Sequence, residues 1–243
     1  MKALILAAGL GTRLKPLTDT LPKALLNAGP YTLLEFAIRK LKNAGFNEII
    51  INVHHFPDLI KKYLEENRNF DCSIAISDES GQLLDTGGGI KKASWFFDDL
   101  KPFLVYNVDI VGNLDLGKLY EQHLHSGNIA TLVLRRRKTS RYLLFDKSMQ
   151  LKAWENIATG EKRFVQVTDE PLQQFAFSGI HVINPELLGC MQDEVRFSII
   201  DTYLKVAATH AVGGFIDESP LWADAGKPDS LAEASAIAAL IKF

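Results

Sequence analysis

Two positive side chains, Arg13 and Lys23, stand behind a pair of glycines, Gly9 and Gly11, in the segment LAAGLGTRLKPLTDTLPKALL (residues 6–26). The apolar run before them, KALILAA (2–8), stops at Gly9 and reads as a buried strand running into a glycine turn. Glycine allows positive φ and a close backbone approach, so amides near Ala8, Gly9, Gly11 and Thr12 can lie against a phosphate chain. Arg13 offers a rigid fork of donors for phosphate oxygens, and Lys23 a compact point charge. Pro16 and Pro22 stiffen the stretch between them and lower the entropic cost of holding both cations in place. Two aspartates could supply oxygen to a hard cation. Asp109 closes the apolar run FLVYNVD (103–109), and Asp224 lies two residues after Trp222 in LWADAG (221–226). Each alone is as well read as a turn-capping carboxylate, but both fall at expected strand ends, where α/β sheets gather their ligands.

Three phosphate-binding patterns compete for the first loop. A dinucleotide fingerprint, G-x-G-x-x-G, would need a third glycine where Leu14 stands, and an acidic residue where Val53, His54 and His55 end the second strand. A Walker A loop would need G-K-[ST], which the chain lacks. The pattern L-A-[AG]-G-x-G-T-R-L-x-P-L-T-x-x-x-P-K-x-L is matched at every specified position from Leu6 to Leu25.

The elements that must position these residues alternate along the first half. A helical stripe over 32–44 ends at Gly45; 48–53 reads as a strand, 58–68 as a helix and 73–77 as a strand. A loop carrying Thr86-Gly87-Gly88-Gly89 follows, then a short helix to about Trp95, a strand over 103–109 and a helix over 116–126. Such βα alternation implies right-handed crossovers onto a largely parallel sheet. From residue 129 short strand-like runs dominate, at 130–137, 141–146, 151–154, 161–167 and 175–183. A helix over 198–210, strands at 212–217 and 221–226 and a closing alanine-rich packing helix complete the chain. The expectation is one domain over 1–243 with two lobes, about 1–128 for a nucleotide and about 129–243 for a second substrate.

Composition narrows the classes of partner. A chain of 243 residues can bury a sizeable core, and 47% hydrophobic with 23% charged residues is ordinary for a soluble protein. A net charge of −2 gives no reason to expect nucleic acid, so an anionic ligand must be held by a local cluster of cations. No apolar run approaches the ~18 residues of a membrane span, and Arg13 and Lys15 follow the first strand too soon for a signal peptide. Cys72 and Cys190, in no C-x-x-C pair, read as core thiols of a cytoplasmic protein. Trp95, Phe96 and Phe97 are expected in the core. His54-His55 and His123/His125 are not expected to bind metal, since i, i+2 positions point to different helix faces.

With these motifs in hand, the chain resembles the sugar-1-phosphate nucleotidylyltransferases, or NDP-sugar pyrophosphorylases, over essentially its whole length. LDTGGGI (84–90) is similar to the family's base- and ribose-facing loop, which places Thr86 and Gly87 on the nucleotide. FLVYNVD corresponds to its F-L-V-x-N-G-D segment, with Asn107 toward the nucleotide. FSGIHVI (177–183) is similar to the strand lining the sugar pocket, with Ser178 and Gly179, and LWADAGKPDSLAEA (221–234) to the W-x-D-x-G-T element. The resemblance implies a Rossmann-like α/β fold of the GT-A type, with a mostly parallel central sheet flanked by helices and a mixed sugar-binding lobe. It implies Mg²⁺ held by Asp109 and Asp224, Arg13 and Lys23 in catalysis, and an NTP and a sugar 1-phosphate as substrates. Among relatives the short form is most similar to the N-acetylmuramate 1-phosphate uridylyltransferases. UTP and N-acetylmuramic acid 1-phosphate are therefore the first choices, in a step serving cell-wall sugar recycling.

Other members of the fold stay open: thymidylyl- or guanylyltransferases, a phosphocholine cytidylyltransferase, or a non-catalytic subunit that binds NDP-sugar. The oligomeric state is undetermined, and an added hexapeptide-repeat domain is not expected. Departures are visible too. Val108 stands where relatives usually have glycine, Ala24 where they have proline, and Lys227 where threonine is common. Glu170-Pro171 approaches an E-K-P segment without its lysine. Glu170 is still expected near the sugar, but the cation must come from elsewhere, from Arg141 or one of Arg135, Arg136 and Arg137. The alternative for that basic run is a solvated strand end.

Overall fold

In the computed structural model, which describes residues 1–243, local signals begin most of the helices. The first half runs β1 (Lys2–Leu6), β2 (Asn27–Ala28), β3 (Tyr31–Thr32), α1 (Leu33–Asn43), β4 (Glu48–Val53), α2 (Pro57–Glu66) and β5 (Ser73–Asp78). It continues with α3 (Asp85–Lys92), β6 (Phe103–Asn107), β7 (Ile110–Gly112) and α4 (Leu116–Ser126). The second half holds β8 (Ala130–Arg135), β9 (Arg141–Phe145), β10 (Leu151–Asn156), β11 (Glu161–Phe164), β12 (Gln173–Ile183) and α5 (Ile199–Val206). It ends with β13 (Val212–Ile216), β14 (Trp222–Asp224) and α6 (Pro228–Leu240). The Thr32 hydroxyl accepts the Glu35 amide at 3.0 Å to open α1, and Asp115 accepts the Lys118 amide at 2.9 Å to open α4. Gly127, at φ 67°, closes α4 in the left-handed conformation.

One ten-stranded sheet organises the molecule, in the order β11-β10-β9-β12-β6-β1-β4-β5, with β8 and β13 branching from β12. Strands β6, β1, β4 and β5 are parallel neighbours, as the βα alternation implies, and β13 joins β8 in parallel. Strand β12 is antiparallel to β6, β8 and β9, so one long strand ties both portions of the chain into the same sheet. The parallel strands are apolar on both faces. Ala3 and Ile5 of β1 pack into one core with α1, while Leu4, next to them in sequence, packs into the other beside Ile90 of α3 and Ile199 of α5. No helix is long and apolar enough to cross a membrane.

Several expectations are corrected. The Thr86–Gly89 run lies inside α3 instead of forming a loop. Cβ atoms at Gly87 and Gly88 would fall 2.3 Å from the Phe197 ring and 2.4 Å from the Val195 carbonyl oxygen. The glycines are therefore spent on close packing against the 195–197 segment. Cys72 and Cys190 are half-buried, not core, and both are free thiols. Of the three aromatics after α3, Phe97 is buried but Trp95 is 61% exposed. Within the first loop, Thr12–Leu14, Leu17–Asp19 and Lys23–Leu25 each form a short 3-10 turn. β6 ends at Asn107, and a tight turn at Val108-Asp109 leads into β7, an element too short to register as a period.

Candidate active site

The parallel strands set the floor of the site by register alone. Leu6 of β1 lies opposite Asn52 of β4 on one side and Asn107 of β6 on the other. All three reach a cavity of about 330 Å³ at the carboxyl end of the sheet, together with Glu79 just beyond β5. Asn52 is buried and hydrogen-bonded through both atoms of its amide. Its Oδ1 accepts the Ala7 and Ala8 amides at 2.6 and 3.3 Å, and its Nδ2 donates to Glu79 Oε1 at 2.8 Å. The other Glu79 oxygen accepts the Leu84 amide at 3.2 Å. Burial pushes the Glu79 carboxyl above its usual range, and the hydrogen bonds from Asn52 and Leu84 oppose that shift. One side-chain pair thus braces the glycine loop against the segment leading into α3.

From the glycine loop, Ala8 and Gly9 line the cavity, as does Lys23. Gly11 takes φ 62° and its carbonyl accepts the Thr18 hydroxyl at 2.9 Å, whereas Gly9 does not adopt positive φ. Thr12 and Arg13 open the first 3-10 turn with exposed side chains and lie outside the cavity lining. Lys23 is buried and its ammonium pairs with Asp109 Oδ2.

Asp109 and Asp224, far apart in sequence, are brought together by the ribbon of β7 and β14. Asp224 lies in register with Ile110, and the Ala225 amide donates to the Asp109 carbonyl at 2.9 Å. Burial first, and then the nearby Asp109 charge, pushes the Asp224 carboxyl up; Lys23, Arg137 and Arg13 pull it back. Asp224 Oδ1 is buried without a hydrogen-bond partner. A Cβ at Gly226 would fall 2.8 Å from both that oxygen and Arg13 Nη2, so Arg13 reaches over the same corner. The carboxylates fit a hard cation: an acceptor oxygen without a donor, beside a second carboxylate. No group of three or more His, Cys, Asp or Glu could close a metal site from protein alone. That arrangement suits Mg²⁺, which takes one or two carboxylates and completes its shell with phosphate oxygens and water.

Thr86 lines the cavity from the first turn of α3, and its hydroxyl accepts the Ile199 amide at 3.0 Å. Gly87 lies under Phe197, outside the lining. Gly179 takes φ 78° where the register between β12 and β8 shifts, and a Cβ there would meet Asn107 Nδ2 at 2.6 Å. It is a bulge that only glycine fills, and it lets β12 press against Asn107. Ser178, beside it, is buried with an unpartnered hydroxyl. Glu170 is exposed on the connection from β11 to β12 and lines no part of the cavity.

Residues 2–239 match the family described as nucleotidyl transferase. The chain belongs to that family. It is 30% identical to a UTP–glucose-1-phosphate uridylyltransferase of Synechocystis sp., over 94% of this chain but only 61% of that protein. It is also 30% identical to an N-acetylmuramate alpha-1-phosphate uridylyltransferase of Caulobacter vibrioides, over 96% of this chain and 95% of that one. A Bacillus anthracis protein solved with sucrose, described as a glucose-1-phosphate thymidylyltransferase, shares the fold. It matches with a TM-score of 0.82 at 22% identity, over 100% of this chain and 97% of that one.

The sequence motifs miss part of the cavity. Asn52 was legible only as the one amide in the apolar strand EIIINV, and Glu79 as an acid just past a strand. Asp85, which enters α3 at φ 61°, and Arg196 line the cavity with no local signal to announce them. The histidines serve structure. His54 Nδ1 lies 2.6 Å from the Glu79 carbonyl, and buried His123 contacts the Thr131 hydroxyl at 2.8 Å while His125 faces solvent.

Proposed function

We propose that this protein joins an NTP to a sugar 1-phosphate, giving an NDP-sugar and pyrophosphate. The observation that carries the reading is the corner where Lys23 pairs with Asp109 while Asp224 holds an unpartnered oxygen beside it, Lys23 and Asp109 lining one cavity with Asn52 and Asn107. Nucleotidyl transfer sets an acceptor phosphate oxygen in line with the α-phosphorus and the leaving pyrophosphate opposite. Both reactants are anions, so the work is neutralising charge and holding geometry.

Asp109 and Asp224 would hold Mg²⁺, which when bound neutralises phosphate oxygens. Lys23, buried and fixed by its ion pair, places a point charge beside the α-phosphate. Arg13, on the exposed side of the corner, meets the leaving pyrophosphate with its donor fork. Ala8 lines the cavity beside the triphosphate, the amides of Gly9 to Thr12 face it, and Thr86 and Asn107 face the nucleoside. Ser178 and Gly179 lie on the acceptor side, where the sugar meets β12. Asn52 and Glu79 keep the glycine loop and the entry to α3 at a fixed separation, which sets the slot for the base.

UTP and N-acetylmuramic acid 1-phosphate are the preferred pair, supported by the full-length match to the Caulobacter relative. The free thiols suit a reducing cytoplasm, where the reaction would serve cell-wall sugar recycling.

The test is pyrophosphate release with UTP, dTTP, GTP and CTP against N-acetylmuramic acid, glucose and mannose 1-phosphates and phosphocholine. The expected result is the highest kcat/KM for UTP with N-acetylmuramic acid 1-phosphate. A higher value for another base or sugar corrects the substrate and keeps the chemistry. Release from no pair, with NDP-sugar still bound, would replace the enzyme with a binding subunit.

A further inference from the structure

Three consecutive arginines, Arg135 closing β8 and Arg136 and Arg137 just past it, meet separate fates in the structure. Arg135 is engaged: its guanidinium donates to Asp217 Oδ2 at 2.5 Å and to the Ser219 carbonyl at 2.8 Å. Arg136 is exposed, lies over the Phe175 ring at 4.7 Å and reaches Gln173. Arg141, further on, is exposed at the start of β9. Arg137 turns the other way, inward. Its guanidinium lies over the Trp222 ring at 4.9 Å, and Nη2 donates to the Phe177 carbonyl at 3.3 Å.

Those two contacts locate Arg137 closely. Trp222 and Asp224 are two apart on β14, so they share a face of that strand. Phe177 immediately precedes Ser178 and Gly179, and Gly179 presses on Asn107. Arg137 therefore stands at the junction of the metal-ligand strand and the bulged strand β12. It is also under-used. A guanidinium carries five N–H donors, and here a single 3.3 Å bond to a carbonyl is made, while Nε is buried with no partner and no carboxylate lies within ion-pairing distance. Burial lowers its proton affinity and the Asp224 charge restores part of it, which agrees with a half-buried cation facing that carboxylate. A buried cation without a counter-ion is costly unless something anionic completes it.

Resting on the function proposed above, we infer that Arg137 binds the phosphate of the incoming sugar 1-phosphate. The donor triphosphate already has Arg13 and Lys23, both from the 6–26 segment. The acceptor is a second anion that must come within reach of the Asp109–Asp224 corner, and Arg137 is the cation that faces this corner from the second half of the chain. Stacking on Trp222 fixes the guanidinium plane, so its free edge can meet two phosphate oxygens at once.

The experiment is steady-state pyrophosphate release by Arg137→Gln, Arg137→Lys and Arg136→Gln, varying NTP and acceptor separately, with thermal midpoints for each protein. Loss of a charge-assisted contact predicts an acceptor KM about 10- to 100-fold higher in Arg137→Gln, with the NTP KM within about twofold. Arg137→Lys keeps the charge without the fork and should fall between, and Arg136→Gln should match the wild type. Should Arg137→Gln not fold, the same acceptor-only rise in Arg137→Lys decides. Glucose 1-phosphate and N-acetylmuramic acid 1-phosphate should be affected alike. An effect confined to the acid-bearing sugar would mean that Arg137 meets its carboxylate and would overturn the inference. An unchanged acceptor KM, or equal rises in both KM values, would reduce Arg137 to a packing role. A wild type that turns over no pair removes the proposed function, and this inference with it.

Discussion

Lys23 offers the sharpest test, because the structure gives it two separable jobs. Its ammonium pairs with Asp109 Oδ2 where the side chains are only 10% and 20% exposed. Removing one partner of a buried pair costs about 3–5 kcal/mol, and the residual exposure of Asp109 argues for the lower end, about 3 kcal/mol. Lys23 is also one of the cations restraining the Asp224 carboxyl, so Lys23→Ala leaves two facing carboxylates less compensated. The proposed catalytic job is a transition-state charge contact, whose loss lowers turnover by about 10²–10³. The two are told apart by Lys23→Ala combined with Asp109→Asn, followed by urea unfolding and pyrophosphate release. Neutralising Asp109 should return about 1–3 kcal/mol of the stability lost by Lys23→Ala. It should return none of the activity. If Lys23→Ala keeps pyrophosphate release within tenfold of wild type, the mechanistic reasoning fails; if it unfolds at the wild-type midpoint, the buried-pair reasoning fails.

Arg13→Ala should lower turnover by about 10² or more. As its side chain is exposed, unfolding free energy should stay within about 0.5 kcal/mol; a large stability loss would mean a structural arginine. Asp224→Asn should abolish magnesium-dependent pyrophosphate release while the fold is kept. An unaltered magnesium titration curve would contradict the carboxylate pair. His181 supplies a pH test away from the site. It is wholly buried, its Nδ1 shares a hydrogen bond with the Tyr203 hydroxyl, and burial holds its imidazole down at about 3. The unfolded chain takes that proton near 6.5, so stability is intact above this value and drains as pH falls toward the folded one. At pH 5 the loss from His181 is about 2 kcal/mol. His181→Gln should flatten that limb of the urea-midpoint curve, and an unaltered limb would place the acid sensitivity elsewhere.

The parallel core was legible because its strands are apolar on both faces and separated by amphipathic helices. The Leu6–Leu25 motif was legible because its residues act locally, through one turn. Legibility failed where tertiary packing overrides composition. A triple glycine reads as a loop, yet Phe197 and Val195 lie so close that only glycine lets α3 continue. Asn52 on β4 and Glu79 just past β5 become one brace only through sheet register. The three arginines at the end of β8 are indistinguishable in sequence; Asp217 takes Arg135, Gln173 takes Arg136 and the Phe177 carbonyl takes Arg137. Glu170, expected near the sugar, instead lies exposed outside the cavity.

The ribbon of β7 and β14 has a consequence for biosynthesis. Everything from the glycine loop to Asp109 leaves the ribosome well before Asp224, and the second carboxylate reaches its place only when β14 docks on β7. A nascent chain halted near residue 220 would carry the parallel strands and the Lys23–Asp109 pair, yet no two-carboxylate corner. Completion of the Asp109–Asp224 corner is therefore a late event of synthesis, set by the closing of a three-residue strand.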